Sequence, residues 1–252
     1  MKRFEGFVFD IDNTAVPEES LVVTSKPLLQ AFHALDSHIP AIAATGRTVE
    51  FALPITSQLA LHHESVVANG AQIINSRSGE VLIENSLNQD QVKRIIALCE
   101  HYDSTAHLAI AGDPTDSFFT AREQQARSAP GVFFMNLTEE IALAVEKELL
   151  ENEQVGAYVS HSTLNGEHMY DVNIGNKDAE KGTALRKLLA IKAIDPMKMI
   201  GVGDSVNDIS LFEAVGYRIA TADADPTLLS MADEIIPPES EDGLLSVVRR
   251  FI

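Results

Sequence analysis

Phe4-Glu5-Gly6-Phe7-Val8-Phe9-Asp10-Ile11-Asp12-Asn13-Thr14 decides the reading of this 252-residue chain. The apolar run Phe7-Val8-Phe9 stops at two acids, Asp10 and Asp12. A short unbroken apolar run predicts a strand buried on both faces, as in the middle of a parallel sheet. An unpaired buried charge is costly, so the acids are expected at the carboxyl end of the strand and not within it. Open α/β sheets bind their ligands at that end. Side chains alternate along a strand, so Asp10 and Asp12 would face one space while Ile11 turns back to the core. A strand followed by an Asx turn at Asn13 would explain the same letters without any chemistry, so other stretches have to decide.

Pro40-Ala41-Ile42-Ala43-Ala44 predicts a second strand, running into Thr45-Gly46-Arg47. Met199-Ile200-Gly201-Val202 predicts another core strand, followed by Asp204, Asn207 and Asp208. Lys181-Gly182 opens a helical pattern with Leu185, Leu188 and Leu189 inward. Thr24-Ser25 followed by Pro27 reads as a helix start, a capping residue with proline in the first turn. Pro54 is expected to break or kink the helix that follows Thr48. Residues 66–68, 69–70, 72–74 and 81–83 read as strand, tight turn and hairpin. This alternation predicts a Rossmann-like, doubly wound parallel sheet with helices on both faces.

The rhythm changes near residue 85. Asn88 caps a helix with Val92, Ile95, Ile96 and Cys99 on one face, and Thr138 caps another with Ile141, Val145 and Leu149. Residues 107–110, 132–135, 155–159 and 169–174 read as strands with short connections, hence antiparallel. Residues 85–170 are expected to form an inserted α+β lid, and residues 1–84 and 171–252 one core domain. The parallel pattern resumes with a helix from Asp208 to Val215 closed by Gly216, a strand at 218–220, the cap and proline Asp225-Pro226, a strand at 234–236 and a terminal helix over 244–252.

Lys and Arg number 19 against 37 Asp and Glu, a formal charge of −18. That balance argues against nucleic acid and anionic membrane surfaces, which need a basic face. A phosphorylated small molecule fits only if a local cation offsets the repulsion. No run of about 18 apolar residues exists, so no membrane span is expected. A chain that enters a strand this early leaves no room for a signal peptide, so the expected location is the cytoplasm. The sequon-like Asn136-Leu137-Thr138 would then go unused. The single cysteine, Cys99, excludes an internal disulfide and a Cys-based metal site, and reads as a core residue. None of the eight histidines is expected to bind metal: His62-His63 lacks the helical spacing of a zinc pair, and His161 and His168 lie in or beside a hairpin where they could touch substrate.

Asp-x-Asp-x-Thr at 10–14, Thr-Gly-Arg at 45–47, Lys-Gly at 181–182 and Gly-Asp-x-x-Asn-Asp at 203–208 occur in that order. Together they resemble the haloacid dehalogenase superfamily of phosphohydrolases. The resemblance is greatest to its Cof-like branch, which carries a type IIB cap between the second and third motifs. The resemblance implies a Mg2+-dependent phosphatase for a small phosphorylated metabolite, such as a sugar phosphate, working through an aspartyl phosphate. It implies Asp10 as nucleophile and Asp12 as general acid and base. The family's ATP-driven transporters carry threonine at the second position, so Asp12 speaks for rapid hydrolysis of the intermediate. It further implies Thr45 and Gly46 as phosphoryl contacts, Lys181 as the phosphate-binding lysine and Asn207 as a contact to phosphate or metal-bound water. The metal site would comprise Asp10, the Asp12 carbonyl, Asp204 and Asp208, the last directly or through water. Arg47 would be structural or substrate-facing.

Physical chemistry makes the same demand. Carboxylates about 4 Å apart repel by roughly 1 kcal/mol in water and several-fold more near a protein surface. A divalent cation relieves this, and all-oxygen ligands favour Mg2+. The sequence departs from the family pattern twice. Asn13 replaces the usual glycine, and asparagine tolerates left-handed backbone better than other non-glycine residues. Thr221-Ala222-Asp223-Ala224 replaces Met-Gly-Asn-Ala, which removes that loop's asparagine. Rival readings are a phosphomutase on the same scaffold and a non-catalytic sugar-phosphate-binding protein. Monomer and dimer are both compatible with the sequence.

Overall fold

The computed structural model describes residues 4–18, 20–103, 107–112, 126–152, 155–164 and 167–252, the side chains of 152, 161–164 and 167 excepted. The chain divides into two compact units, Met1–Ile83 with Glu180–Ile252, and Glu84–Ala179. It opens with β1 (Gly6–Phe9), α1 (Lys26–Ala34), β2 (Ala41–Ala43), α2 (Val49–Gln58), β3 (Glu64–Val67), β4 (Gln72–Asn75) and β5 (Val81–Glu84). Next come α3 (Gln89–Tyr102), β6 (His107–Ile110), β7 (Gly131–Leu137), α4 (Glu139–Asn152), β8 (Val155–Leu164) and β9 (Glu167–Asn176). The last stretch holds α5 (Lys181–Ile191), β10 (Met199–Gly203), α6 (Ile209–Phe212), β11 (Tyr217–Thr221), α7 (Pro226–Met231), β12 (Glu234–Ile236) and α8 (Gly243–Val248).

Five strands form a parallel sheet in the order β12-β11-β10-β1-β2. An isolated parallel bridge between Ala44 and Val66 carries the arrangement on to β3, which then pairs antiparallel with β4. β1 is central and buried along its length. Phe7, Phe9 and Ile11 pack on one face with Phe32, Ile55 and Val248, whereas Val8 packs on the other with Leu185 and Leu189. Helices therefore cover both faces, which is why the run contains no polar residue. The rings of Phe7, Phe9 and Phe32 have centroids 5.3 to 5.9 Å apart. Truncating Phe9 to alanine would cost about 3–5 kcal/mol by loss of burial and the cavity left behind.

Local chemistry sets the element ends. Ser25 Oγ accepts the Leu28 N–H at 3.1 Å, with Pro27 in the first turn of α1. Asp225 accepts the Thr227 N–H at 2.7 Å before α7. Pro54 does not end its helix, since α2 runs on to Gln58. Proline removes one intrahelical donor, but the turn beyond it is held by buried Ile55 and Thr56 and by Gln58 Nε2 donating to the Pro54 carbonyl at 2.9 Å. The helix after Asp208 is shorter than its apolar spacing predicts: a 3-10 turn over Val206–Asp208 precedes α6, which stops at Phe212. α8 likewise starts at Gly243 and tightens into a 3-10 turn over Arg249–Phe251.

The unit Glu84–Ala179 contains the antiparallel sheet β6-β7-β9-β8. Its core joins Val92, Ile95, Ile96 and Cys99 of α3 to Val145 and Leu149 of α4 and to Phe134 and Val172 of the sheet. Asn88 and Gln91 form a reciprocal capping box on α3, and Thr138 Oγ1 accepts the Ile141 N–H at 3.4 Å. β9 continues unbroken to Asn176, beyond residue 170. His168 is exposed, and His161 lies outside the described side chains. Among the described residues no helix is long and apolar enough to cross a membrane.

Candidate active site

The carboxyl ends of β1 and β10 lie side by side, with Phe9 opposite Val202. The Asp10 N–H bonds to the Val202 carbonyl at 3.0 Å, so the ladder runs up to the acid itself. Alternation puts Asp10 on the Val8 face, against which α5 packs. α5 presents Lys181 at its first position. Lys181 is only 1% exposed. Its Nζ lies 2.9 Å from Asp10 Oδ2 and 2.8 Å from Asp208 Oδ1, and donates to Asn207 Oδ1 at 3.2 Å. A Cβ on Gly182 would stand 1.8 Å from the Ser210 carbonyl oxygen. Only glycine after the lysine lets the start of α5 come this near.

Oxygens of Asp10, Asp204 and Asp208 lie within 4.8 Å of one another. Against one ammonium, the three carboxylates leave a formal excess of two negative charges. Burial raises the Asp10 pKa well above the usual carboxylate range; Lys181 opposes this, and Asp208 and Asp204 add to it. Burial and Asp208 push Asp204 up to about 7, against the pull of Lys181 and the Thr14 hydroxyl. Burial alone would lower the Lys181 pKa, but Asp10 and Asp208 outweigh it and hold the ammonium charged. Hard oxygen donors with surplus negative charge fit a small divalent cation. Among the described residues Asp208 receives three protein donors, namely Lys181 and the N–H groups of Asp204 and Ser205. Asp10 receives two, from Ile11 N–H and Lys181, and Asp204 one, from Thr14.

Asp12 stands outside this group of three. Its carboxylate takes a fork from Arg47, Nε to Oδ2 at 2.9 Å and Nη2 to Oδ1 at 2.5 Å. Arg47 Nη1 donates to the Ser20 carbonyl at 2.7 Å. β1 ends at Phe9, Ile11 keeps the face of Phe7 and Phe9, and Asn13 turns the chain at φ 51. Asn13 adopts the left-handed backbone expected of it.

Thr45 is fully buried beyond the end of β2, and its Oγ1 accepts the Arg47 N–H at 3.1 Å. It does not cap α2, whose N-cap is Thr48. Gly46 lies against the side-chain amide of Asn69. Asn207 Oδ1 accepts from both Lys181 and Ser205 Oγ. Thr14 Oγ1 donates to Asp204 Oδ1 at 3.0 Å across 190 residues of sequence. Its place in the first motif was the only available signal for that contact. Asp223, exposed in the loop that departs from the family pattern, adds negative charge beside Asp204.

The haloacid dehalogenase-like hydrolases match this chain over residues 7–248. The protein belongs to that family. A phosphoglycolate phosphatase from Methanothermobacter thermautotrophicus is 26% identical over 247 residues, covering 96% of each chain. One from Haloarcula marismortui is 26% identical over 253 residues, covering 97% of this chain and 96% of its own. The crystal structure of a haloacid dehalogenase-like hydrolase from Bacteroides thetaiotaomicron matches with a TM-score of 0.77 at 19% identity, covering 99% of this chain and 100% of that one. In this haloacid dehalogenase-like hydrolase, the four stretches picked out in the sequence all border the carboxyl edge of the parallel sheet.

Proposed function

We propose that the protein is a Mg2+-dependent phosphatase that passes the phosphoryl group of a small phosphomonoester to Asp10 and then to water. The observation that carries this reading is the three-carboxylate cluster closed by one buried lysine. A protein that only bound a phosphate would gain nothing from surplus negative charge at the phosphate site. Mg2+ would be held by Asp10, Asp204 and the Asp12 carbonyl, with Asp208 behind them. When bound, it neutralises charge on the carboxylates and on the phosphoryl oxygens.

Asp10 Oδ1 is steadied by the Ile11 N–H at 2.7 Å. The Asp10 carboxylate attacks phosphorus, the bond from phosphorus to the leaving oxygen breaks, and an aspartyl phosphate forms. Asp12 gives its proton to the departing alkoxide and later takes one from the attacking water, which restores Asp10 and releases inorganic phosphate. Lys181, charged and fixed, balances charge on the transferring group. The Thr45 hydroxyl proton and the Gly46 N–H would meet phosphoryl oxygens, with Asn207 alongside Lys181. Arg47 places Asp12.

The names of the relatives bring 2-phosphoglycolate to the candidate substrates, and the motif resemblance brings sugar phosphates. Both are small phosphomonoesters. The unit Glu84–Ala179 would act as the lid that excludes water and chooses among them. A phosphate-release screen with MgCl2 over a broad metabolite panel tests the proposal. Turnover of a small phosphomonoester, with one inorganic phosphate released per substrate lost, supports it. Transfer within the substrate without phosphate release would make the protein a phosphomutase, and no turnover of any phosphomonoester overturns the reading.

A further inference from the structure

We propose that Asn69 is a positioning residue of this site, acting through Asn207; the assignment rests on the phosphatase reading above. Asn69 sits in the 3-10 turn Ala68–Gly70 after β3, at φ 52 and ψ 27. Among residues with side chains, asparagine is one of the few that tolerates this backbone. The turn is wedged between loops from separate parts of the chain. The Asn69 N–H bonds to the Thr45 carbonyl at 3.0 Å and the Ala68 N–H to the Arg47 carbonyl at 2.7 Å. A Cβ on Gly46 would lie 3.1 Å from Asn69 Oδ1. Gly70, at φ +100, presses on the residue before Lys181, where a Cβ would stand 2.3 Å from the Glu180 carbonyl oxygen. Finally, Asn207 Nδ2 donates to Asn69 Oδ1 at 3.3 Å.

The last contact joins those of Lys181 and Ser205 in setting which way round Asn207 sits. Its Oδ1 receives Lys181 Nζ at 3.2 Å and Ser205 Oγ at 2.7 Å. Lys181 has three N–H donors, and Asp10, Asp208 and Asn207 supply three acceptors. Turned over, the Asn207 amide would set its own donors against the ammonium. Asn69 Oδ1 offers the acceptor that the Asn207 NH2 needs on the far side, and so selects the orientation that completes the Lys181 shell. Without it Asn207 is held only from the side of Lys181 and Ser205, and the acceptor for the third proton of Lys181 is less firmly placed.

A double-mutant cycle with Asn69→Gly and Asn207→Ala, read on p-nitrophenyl phosphate with MgCl2, tests this. Glycine keeps the left-handed backbone, so Tm should hold while the amide is lost. Each single variant should lower kcat/KM about tenfold, and the double variant should be no worse than Asn207→Ala, as expected for residues acting through one contact. Wild-type kcat/KM in Asn69→Gly, or losses that multiply in the double variant, overturn the positioning role. A second readout does not depend on turnover. The side-chain amide resonances of Asn207, identified by their absence in Asn207→Ala, should shift in Asn69→Gly, and unmoved resonances overturn the proposal. A wild-type protein inactive on every phosphomonoester would remove the phosphatase reading, while those resonances would still decide whether Asn69 holds Asn207.

Discussion

Arg47 and Asp12, 35 residues apart, are joined by two parallel bonds between a planar guanidinium and a carboxylate. The arginine side chain is 7% exposed and the aspartate side chain 29%. Lysine cannot supply that fork. Arg47→Ala and Arg47→Lys should therefore both lower kcat by about a hundredfold, the lower range for a misplaced general acid and base. Urea unfolding of Arg47→Ala should show a loss of about 2 kcal/mol, since bonds to charged groups are lost. A wild-type kcat in Arg47→Ala would show that the pair does not place the acid.

Lys181 is the only ammonium bonded to Asp10 and Asp208 among the described residues. Lys181→Met would leave the carboxylates uncompensated, and breaking such a buried pair costs about 3–5 kcal/mol. MgCl2, or a second change of Asp208→Asn, should restore part of that loss. Equal unfolding midpoints for Lys181→Met and wild type would contradict the buried geometry.

Asp204 titrates near 7 in the folded chain because of burial and Asp208, against about 4 when unfolded. Between those values the folded state binds more protons, so this group's contribution to stability falls as pH rises from about 4 to about 7. Asp10 shifts in the same direction. A divalent cation competes with these protons, so its stabilising effect should grow with pH. Thermal unfolding in EDTA and in MgCl2 should give a larger Mg2+ shift at about pH 8 than at about pH 5. Equal shifts would place the cation elsewhere.

Much of the fold and of the site is legible in the sequence. Phe7-Val8-Phe9 is apolar because helices cover both its faces, and acids where β1 and β10 end must meet if those strands are neighbours. Lys181 was readable as the start of α5, and Gly182 explains how closely it approaches. The bond from Thr14 to Asp204 and the corner at Asn69 were not readable, because each depends on a partner far away in sequence. The fork from Arg47 to Asp12 was equally unreadable, because its partners lie 35 residues apart in sequence. Pro54 does not end α2, because packing holds the residues that follow it.

Cys99 offers a check on the unit Glu84–Ala179. Burial pushes its thiol up to about 12, so it should stay inert to a thiol reagent in the native protein and react once urea unfolds that unit. Prompt reaction in the native protein would mean that the α3 face is open.

The most direct measurement is turnover of p-nitrophenyl phosphate with MgCl2 by wild type and by Asp10→Asn. The amide cannot attack phosphorus, and Asn remains close to Asp in size. The account predicts that Asp10→Asn keeps a cooperative unfolding transition and loses turnover by a factor of about a thousand or more. Turnover by Asp10→Asn at the wild-type rate would contradict Asp10 as the group that receives the phosphoryl.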